Sequence, residues 1–334
     1  FFTMFAPSVE AVPVMVNLMS CLASAFTILF LFWTITHLGR KIYAGNGYKL
    51  SKQQTWTVMG AGLIGSLAYT FTDTFWFSAI EGEVYALSSM FTALVVWAML
   101  QWELVADQPH GNRWLVLIAY LMGLSIGIHI LNLLAIPALV FIYYFRKYPK
   151  VTWKGVAAAL GASGAILVAV NYLIIPYTVQ IGAWVDKIFV NSFGLPVNSG
   201  LLFFVVLVFA LCIFGIYITH KKGKVVLNTV ILCAAVIFLG YGSYASVIIR
   251  ASANPPMNSN DPSNPYSLFS LLNRDQYGDR PLLYGPYYTT PIEDYKYSTS
   301  TYLDKDTGKY DEYTYISGYP YPSEYTYLFP RIYS

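Results

Sequence analysis

The sequence predicts an all-α polytopic membrane protein, a helical bundle followed by an irregular extracytoplasmic tail, on three observations. First, 56% of the 334 residues are hydrophobic and only 11% are charged, against about 25% charged in soluble domains, which excludes a water-soluble enzyme. Second, residues 14 to 38 carry no Asp, Glu, Lys or Arg, a run longer than the roughly 20 residues that cross a bilayer. Third, runs of this kind recur until residue 249 and then stop. The formal net charge of +3 is too small for a nucleic-acid partner. Cys21, Cys212 and Cys233 fall inside apolar runs and read as small buried hydrophobes, with no disulfide framework or zinc site.

The apolar segments are 14 to 38, 56 to 72, 84 to 102, 114 to 145, 155 to 175, 200 to 219 and 225 to 249. As one helix the fourth would rise about 48 Å, against a hydrocarbon core of about 30 Å. His129 and Asn132 near its middle divide it into short spans at 114 to 128 and 130 to 145, giving eight spans in all. Positive charge supports the division, because short cytoplasmic loops are rich in Lys and Arg. Eight spans put Arg40, Lys41, Lys49, Lys52, Arg113, Arg146, Lys147, Lys150, Lys154, Lys221, Lys222 and Lys224 inside, against Lys187 in the short outer loops. The spans make up a transmembrane domain at 1 to 249, and residues 1 to 13 and 250 to 334 are expected outside. The chain starts at Phe1 and runs into Ser334 with no visible end signal, so it reads as a fragment truncated at both ends, with a further span expected upstream.

The tail holds Pro255-Pro256, ten acidic and seven basic residues, and fifteen tyrosines from Tyr277 to Tyr333. Asn254, Asn258, Asn260 and Asn264 with nearby prolines predict ordered turns, and the tyrosines argue against disorder, which is poor in aromatics. Its aromatic faces suit sugar rings or extended peptide, but packing against other protein is the simpler reading. No repeat of fixed period supports a solenoid.

Gly60, Gly62 and Gly65 match the G-x-G-x-x-G spacing, but they lie inside an apolar span where a dinucleotide site needs a strand and a loop. Close helix packing through small residues, with Ala61 and Gly65 four apart, is the better account. The segment Thr70 to Tyr85 is sharper. Asp73, Glu81 and Glu83 accompany Phe75, Trp76 and Phe77 between two spans. Acids so close to a bilayer face water, a partner or a cavity. The plain alternative is an interfacial loop with an aromatic belt; the functional reading is a cavity mouth that holds a divalent cation or takes a proton from a hydroxyl. Spacing leaves both roles open.

His129 and Asn132, three apart on one face, more commonly satisfy neighbours than perform chemistry. Arg250 closes the last span, and Arg274 and Arg280 follow in the stretch Asn273 to Pro281. An outward Arg of this kind can hold a lipid phosphate bidentately or simply snorkel at a helix end.

Four groups of residues resemble a known family. They are Met15 to Ser20 with Phe30 to Thr34, Asp73 to Ser78 with Glu81 to Tyr85, Gly123 to His129 with Leu131 to Pro137, and Ala253 to Pro256 with Tyr277 to Gly285. The family comprises large bacterial multi-span membrane proteins, long carried as a domain of unknown function, related to the animal protein O-mannosyltransferases that act on IPT domains of plexin-type receptors. The resemblance implies a GT-C-type glycosyltransferase in the bacterial inner membrane, which moves a sugar, mannose in those relatives, from a polyprenyl phosphate donor to Ser or Thr of an exported acceptor protein on the outer face. In this class the first outer loop carries an acidic motif, Asp-x-x-Glu in this family, ahead of the segment that begins here, so the catalytic base is expected upstream of Phe1 and the fragment alone is expected to be inactive. Asp73, Glu81, Glu83, His129 and Asn132 are then candidates for the cavity, and Arg250 and Arg274 for the donor phosphate.

Two other classes compete. A transporter or flippase needs ionisable groups near the midplane, and the interiors of the assigned spans contain no Asp, Glu, Lys or Arg. A non-catalytic scaffold subunit has no positive mark in the sequence.

Overall fold

A computed structural model describes residues 2–44, 49–275, 283–287 and 289–330 of the chain. It is helical to residue 273, with short strands confined to the tail. Among the described residues six helical segments are long and apolar enough to cross a membrane: Val9–Ala44, Tyr85–Val105, Ile130–Lys147, Trp153–Phe193, Ser199–Lys221 and Val225–Ser252. Arg113–Ile126 is apolar but shorter. The chain is an all-α polytopic membrane protein. Helices are forced on it because hydrocarbon offers backbone N–H and C=O groups no partner outside the segment itself. It forms two compact units, Phe1–Val168 with Leu211–Tyr244, and Ala169–Ala210 with Ala245–Ser334.

The first unit is built on α1 (Val12–Ala44), which packs against α2 (Lys52–Thr70), α3 (Asp73–Ile80) and α4 (Tyr85–Val105). Small residues make this possible: Ser20, Ala23, Ser24 and Thr27 form a buried stripe on α1 at helical spacing. The glycines of α2 have unequal roles. A Cβ at Gly62 would lie 2.5 Å from Thr36 Cγ2, and one at Gly65 would lie 2.9 Å from Ile35 Cδ1, whereas Gly60 faces open space. Gly62 and Gly65 are therefore the contact with α1, and the exposed Ala61 takes no part. At its start, α2 is held by a capping box in which Ser51 and Gln54 each accept from the other's backbone N–H.

After α5 (Arg113–Ile126) the chain reverses. Residues 127 to 129 leave the helix, His129 is extended, and its Nδ1 accepts from Leu131 N at 3.2 Å. A tight 3-10 turn over Ile130–Ala135 leads to α6 (Ile136–Lys147), with Pro137 in its first turn. The direction follows from α4. His129 lies 5.7 Å ring to ring from Tyr85 at the start of that helix, while Arg146 and Lys147 reach Asp107, Glu103 O and Ala106 O at its end. The exposed Asp107 carboxyl is held below its usual range by these hydrogen bonds, that of Lys147 first. Helix α7 (Trp153–Val168) continues the unit. Helix α10 (Val225–Tyr241) crosses α5 backbone to backbone: a Cβ at Gly123 would fall 2.4 Å from Ile237 O, and one at Gly240 would fall 2.5 Å from Leu124 N.

The second unit departs from the sequence reading in two places. The short outer loop expected between spans at 175 and 200 is mostly helix: a π-helical turn at Ala169–Ile174 runs into α8 (Ile175–Phe193), which ends on the left-handed Gly194. Pro176 lies directly after this π-helical turn inside the continuous helical segment Trp153–Phe193, where the ladder already departs from the α pattern and its missing N–H and ring are accommodated. Helix α9 (Ser199–Lys221) starts in this unit and is apolar all round, its side chains exposed or half-buried apart from Gly200 and Thr219, as suits a helix in lipid.

The tail, expected to be irregular, is partly ordered by strands. After α11 (Ala245–Ser252), Asn254, Asn260 and Asp261 take positive φ, and Asn264 caps α12 (Pro265–Asn273) by accepting from Tyr266 N and Ser267 N. Strand β1 (Tyr284–Pro286) pairs antiparallel with β4 (Thr326–Leu328), and β2 (Lys296–Leu303) with β3 (Tyr310–Gly318), the latter turning at Gly308 with φ 67°. Two-stranded hairpins are marginal alone, and this one rests on α8. Asn191 exchanges two hydrogen bonds with the backbone of Tyr310, Lys187 pairs with Glu312 at 2.5 Å, and the Tyr310 hydroxyl donates to Asp186 at 2.7 Å.

Lys305 bonds Asp261 at 3.1 Å and lowers its carboxyl pKa. A depressed carboxylate stabilises above its unfolded pKa and loses that contribution as pH falls. Proteolysis of the hairpin turn is therefore expected to quicken slightly below about pH 4, and Asp261→Asn should remove that part of the pH dependence.

Candidate functional site

Helices α3 and α4, with the end of α2, enclose a pocket of about 530 Å³ in the first unit, within the usual size of a ligand site. Two elements bring its polar groups together. Thr74 and Ser78, four apart on α3, share a face with Glu81 just beyond its end, and Ser88 and Ser89 answer them from α4. Aromatic walls come from Tyr69, Phe75, Phe77 and Tyr85, with Tyr69 and Phe75 rings 4.6 Å apart. Leu131 of the reversal closes one side.

Glu81 is placed by close packing. It is extended and ends α3, its N–H donating to Phe77 O at 3.1 Å. The next residue, Gly82, is pressed by α1, where a Cβ would lie 2.8 Å from Val16 Cγ1 and 3.2 Å from Asn17 Oδ1. A larger residue at 82 would push the Glu81 backbone off α1.

The sequence-predicted residues separate. Glu81 lines the pocket. Asp73 lies at the opposite end of α3, about 10 Å along the helix axis, and it and Glu83 are exposed outside the lining. Among the described residues no group of three or more His, Cys, Asp or Glu side chains could hold a metal ion, so these acids do not form a cation cage. His129 touches Tyr85, a lining residue, by its ring. Asn132 is fully buried, donating to Ser125 Oγ at 2.9 Å and Met122 Sδ at 3.3 Å, which makes it a tie between the reversal and α5. Arg250 and Arg274 belong to the second unit, Arg250 exposed in the last turn of α11 and Arg274 at the left-handed residue that ends α12. Arg280 falls outside the described residues.

Sequence reasoning followed the acids and missed Thr74, Ser78 and Ser88; the four-residue spacing of the first two was a usable sign of a common face. It also passed over Asp186, a lone acid in the apolar stretch of α8.

Residues 1–152 match the family described as protein O-mannosyl-transferase TMEM260 N-terminal domain. That range contains the whole pocket and Glu81, His129 and Asn132. Residues 278–334 match a family of unknown function, DUF8416, which takes in the β2–β3 hairpin. Arg250 and Arg274 lie in neither range. No curated protein and no solved structure matches the chain.

Proposed function

We propose that this chain is part of a GT-C-type membrane glycosyltransferase of the bacterial inner membrane, which transfers a sugar, mannose, from a polyprenyl phosphate to Ser or Thr of an exported protein on the outer face. The observation that carries the reading is that the match to an O-mannosyltransferase domain encloses a pocket whose chemistry suits a sugar. Aromatic walls take the C–H face of a pyranose, while Thr74, Ser78, Ser88 and Glu81 offer partners to its hydroxyls.

In the reaction the acceptor oxygen attacks the anomeric carbon, the bond from that carbon to phosphate breaks with its electrons passing to the phosphate oxygen, and the hydroxyl proton passes to a base. In this proposal Glu81 orients the sugar through its hydroxyls. Arg250 and Arg274 enter by charge alone, as groups able to neutralise the departing phosphate, and the proposal takes the eight-span reading of the sequence, with an outward tail, under which both substrates would meet on one side of the membrane.

The test uses radiolabelled polyprenyl phosphate mannose and the full-length protein in vesicles. Glu81→Gln is expected to lower transfer to protein roughly ten- to hundredfold, the scale of losing a hydrogen bond to a charged group, at unchanged expression. Transfer at the wild-type rate would remove Glu81 from the site. Movement of unmodified lipid without label on protein would replace the enzyme by a flippase, and neither activity would indicate a scaffold.

A further inference from the structure

A second pocket of about 370 Å³ lies in the first unit between α1, α2 and α4. Along α4 it borders Trp97 and Gln101, about 14 and 20 Å respectively from Ser88 of the first pocket at 1.5 Å per residue. Its α1 wall is a graded stripe: Trp33, Thr36, His37 and Arg40 recur at helical spacing, so one face passes from indole to guanidinium within about 10 Å. Trp33 and Trp97 lie 5.3 Å apart, and Phe30 packs against both.

The charges at this end are unevenly used. Lys41 is paired with Glu103, and Arg146 and Lys147 share Asp107. Arg40, which lines the pocket, makes no hydrogen bond or ion pair with its side chain among the described residues. An exposed cation above a polar shelf of His37 and Gln101, over an aromatic and aliphatic floor, matches a molecule with one anionic group and a hydrocarbon tail. In a polytopic membrane protein that molecule is at hand in the bilayer.

We propose that this pocket binds an anionic phospholipid, with the headgroup phosphate on Arg40 and the acyl chain against Trp33, Trp97 and Met59. It is separate from the proposed sugar pocket, lying near the opposite end of α4. Lys49 and Lys52 at the start of α2 add positive potential without lining it.

The two indoles provide the assay. The full chain is reconstituted in phosphatidylcholine vesicles carrying a small fraction of brominated-acyl lipid, either phosphatidylglycerol or phosphatidylcholine, and tryptophan quenching is compared. Stronger quenching by brominated phosphatidylglycerol is expected in the wild type, and it should vanish in the Trp33→Phe/Trp97→Phe variant. Arg40→Gln should weaken the preference roughly fivefold, the effect of one basic group near a membrane surface, and Arg40→Lys should retain part of it. Lys49→Gln, outside the pocket, should weaken it by much less than Arg40→Gln. Equal quenching by the two lipids, a preference that survives Arg40→Gln, or an equal loss with Lys49→Gln would overturn the site, the last by reducing it to diffuse surface charge. Displacement by inorganic phosphate would overturn the lipid assignment in favour of a soluble anion.

Discussion

Replacing Asp186 by alanine is expected to destabilise the second unit by about 3–5 kcal/mol, since three buried donors lose their acceptor at about 1–3 kcal/mol each. The carboxylate is fully buried and accepts three hydrogen bonds, from Gly200 N at 2.8 Å, Asn198 N at 3.0 Å and the Tyr310 hydroxyl at 2.7 Å. It thereby ties the start of α9 and strand β3 to α8. Gly200 lies so close to α8 that a Cβ there would fall 2.4 Å from Asp186 Cα, which keeps its N–H against the position of the lost oxygen. Denaturant unfolding in detergent should show the loss, with tryptic cleavage at Lys305 and Lys309 in the hairpin turn quickened. Asp186→Asn should fall between, since its carbonyl still accepts but its amide faces a donor.

Tyr310→Phe removes one of the three bonds and should cost about 1–2 kcal/mol. Burial, then the bond to Asp186, raises the Tyr310 phenol pKa above its ordinary value. A group raised on folding stabilises fully below its unfolded pKa, near 10 for tyrosine, and loses that contribution as pH rises beyond it. The wild-type hairpin should therefore loosen above about pH 10 in a way that the phenylalanine variant does not. Unchanged unfolding and cleavage in Asp186→Ala would mean that Asn191 and the Lys187–Glu312 pair suffice to hold the hairpin.

At the crossing of α5 and α10, Gly123→Ala is expected to cost about 2–3 kcal/mol, the upper range of overpacking. The obstacle is backbone: the new methyl would lie 2.4 Å from Ile237 O and 2.9 Å from Ile237 Cα, and no rotamer relieves that. Gly240→Ala meets Leu124 N at 2.5 Å and Gly123 C at 2.7 Å and should behave alike. In lipid such close approach is the main attraction between helices, since no water is displaced. Helix α5, only 14 residues long, has little other hold on the bilayer. Gly60→Ala and Gly161→Ala, with nothing within 4 Å, should be neutral or stabilise by about 0.5–1 kcal/mol by relieving glycine's conformational entropy in a helix. Unfolding in detergent at matched expression separates the two groups; equal behaviour of all four variants would show that the helices can part without loss.

Some of this was open to reading in the chain and some was not. Low charge and long apolar runs specify membrane helices whatever their partners, so the fold class needed no tertiary information. The hairpin was hidden, although Lys296–Leu303 carries Tyr297, Thr299, Thr301 and Tyr302, residues of high β propensity, before a glycine turn, because the density of proline and tyrosine around it reads as loop. At the candidate site the segment Thr70 to Tyr85 was recognisable from its acids and aromatics, yet only Glu81 of the three acids lines the pocket. Which acid faces inward depends on Val16 and Asn17 pressing Gly82 from more than sixty residues away in sequence. The same holds for the glycines: four residues of context cannot show that Gly62 and Gly65 meet α1 while Gly60 does not.

The sequence by itself determined that the chain crosses a membrane as helices, because backbone polar groups in hydrocarbon must be satisfied within their own segment, and that requirement is local. The tertiary structure alone decided which polar groups meet. Asp186 and Tyr310 stand 124 residues apart in the chain, and a buried carboxylate is tolerable only with donors brought to it from elsewhere.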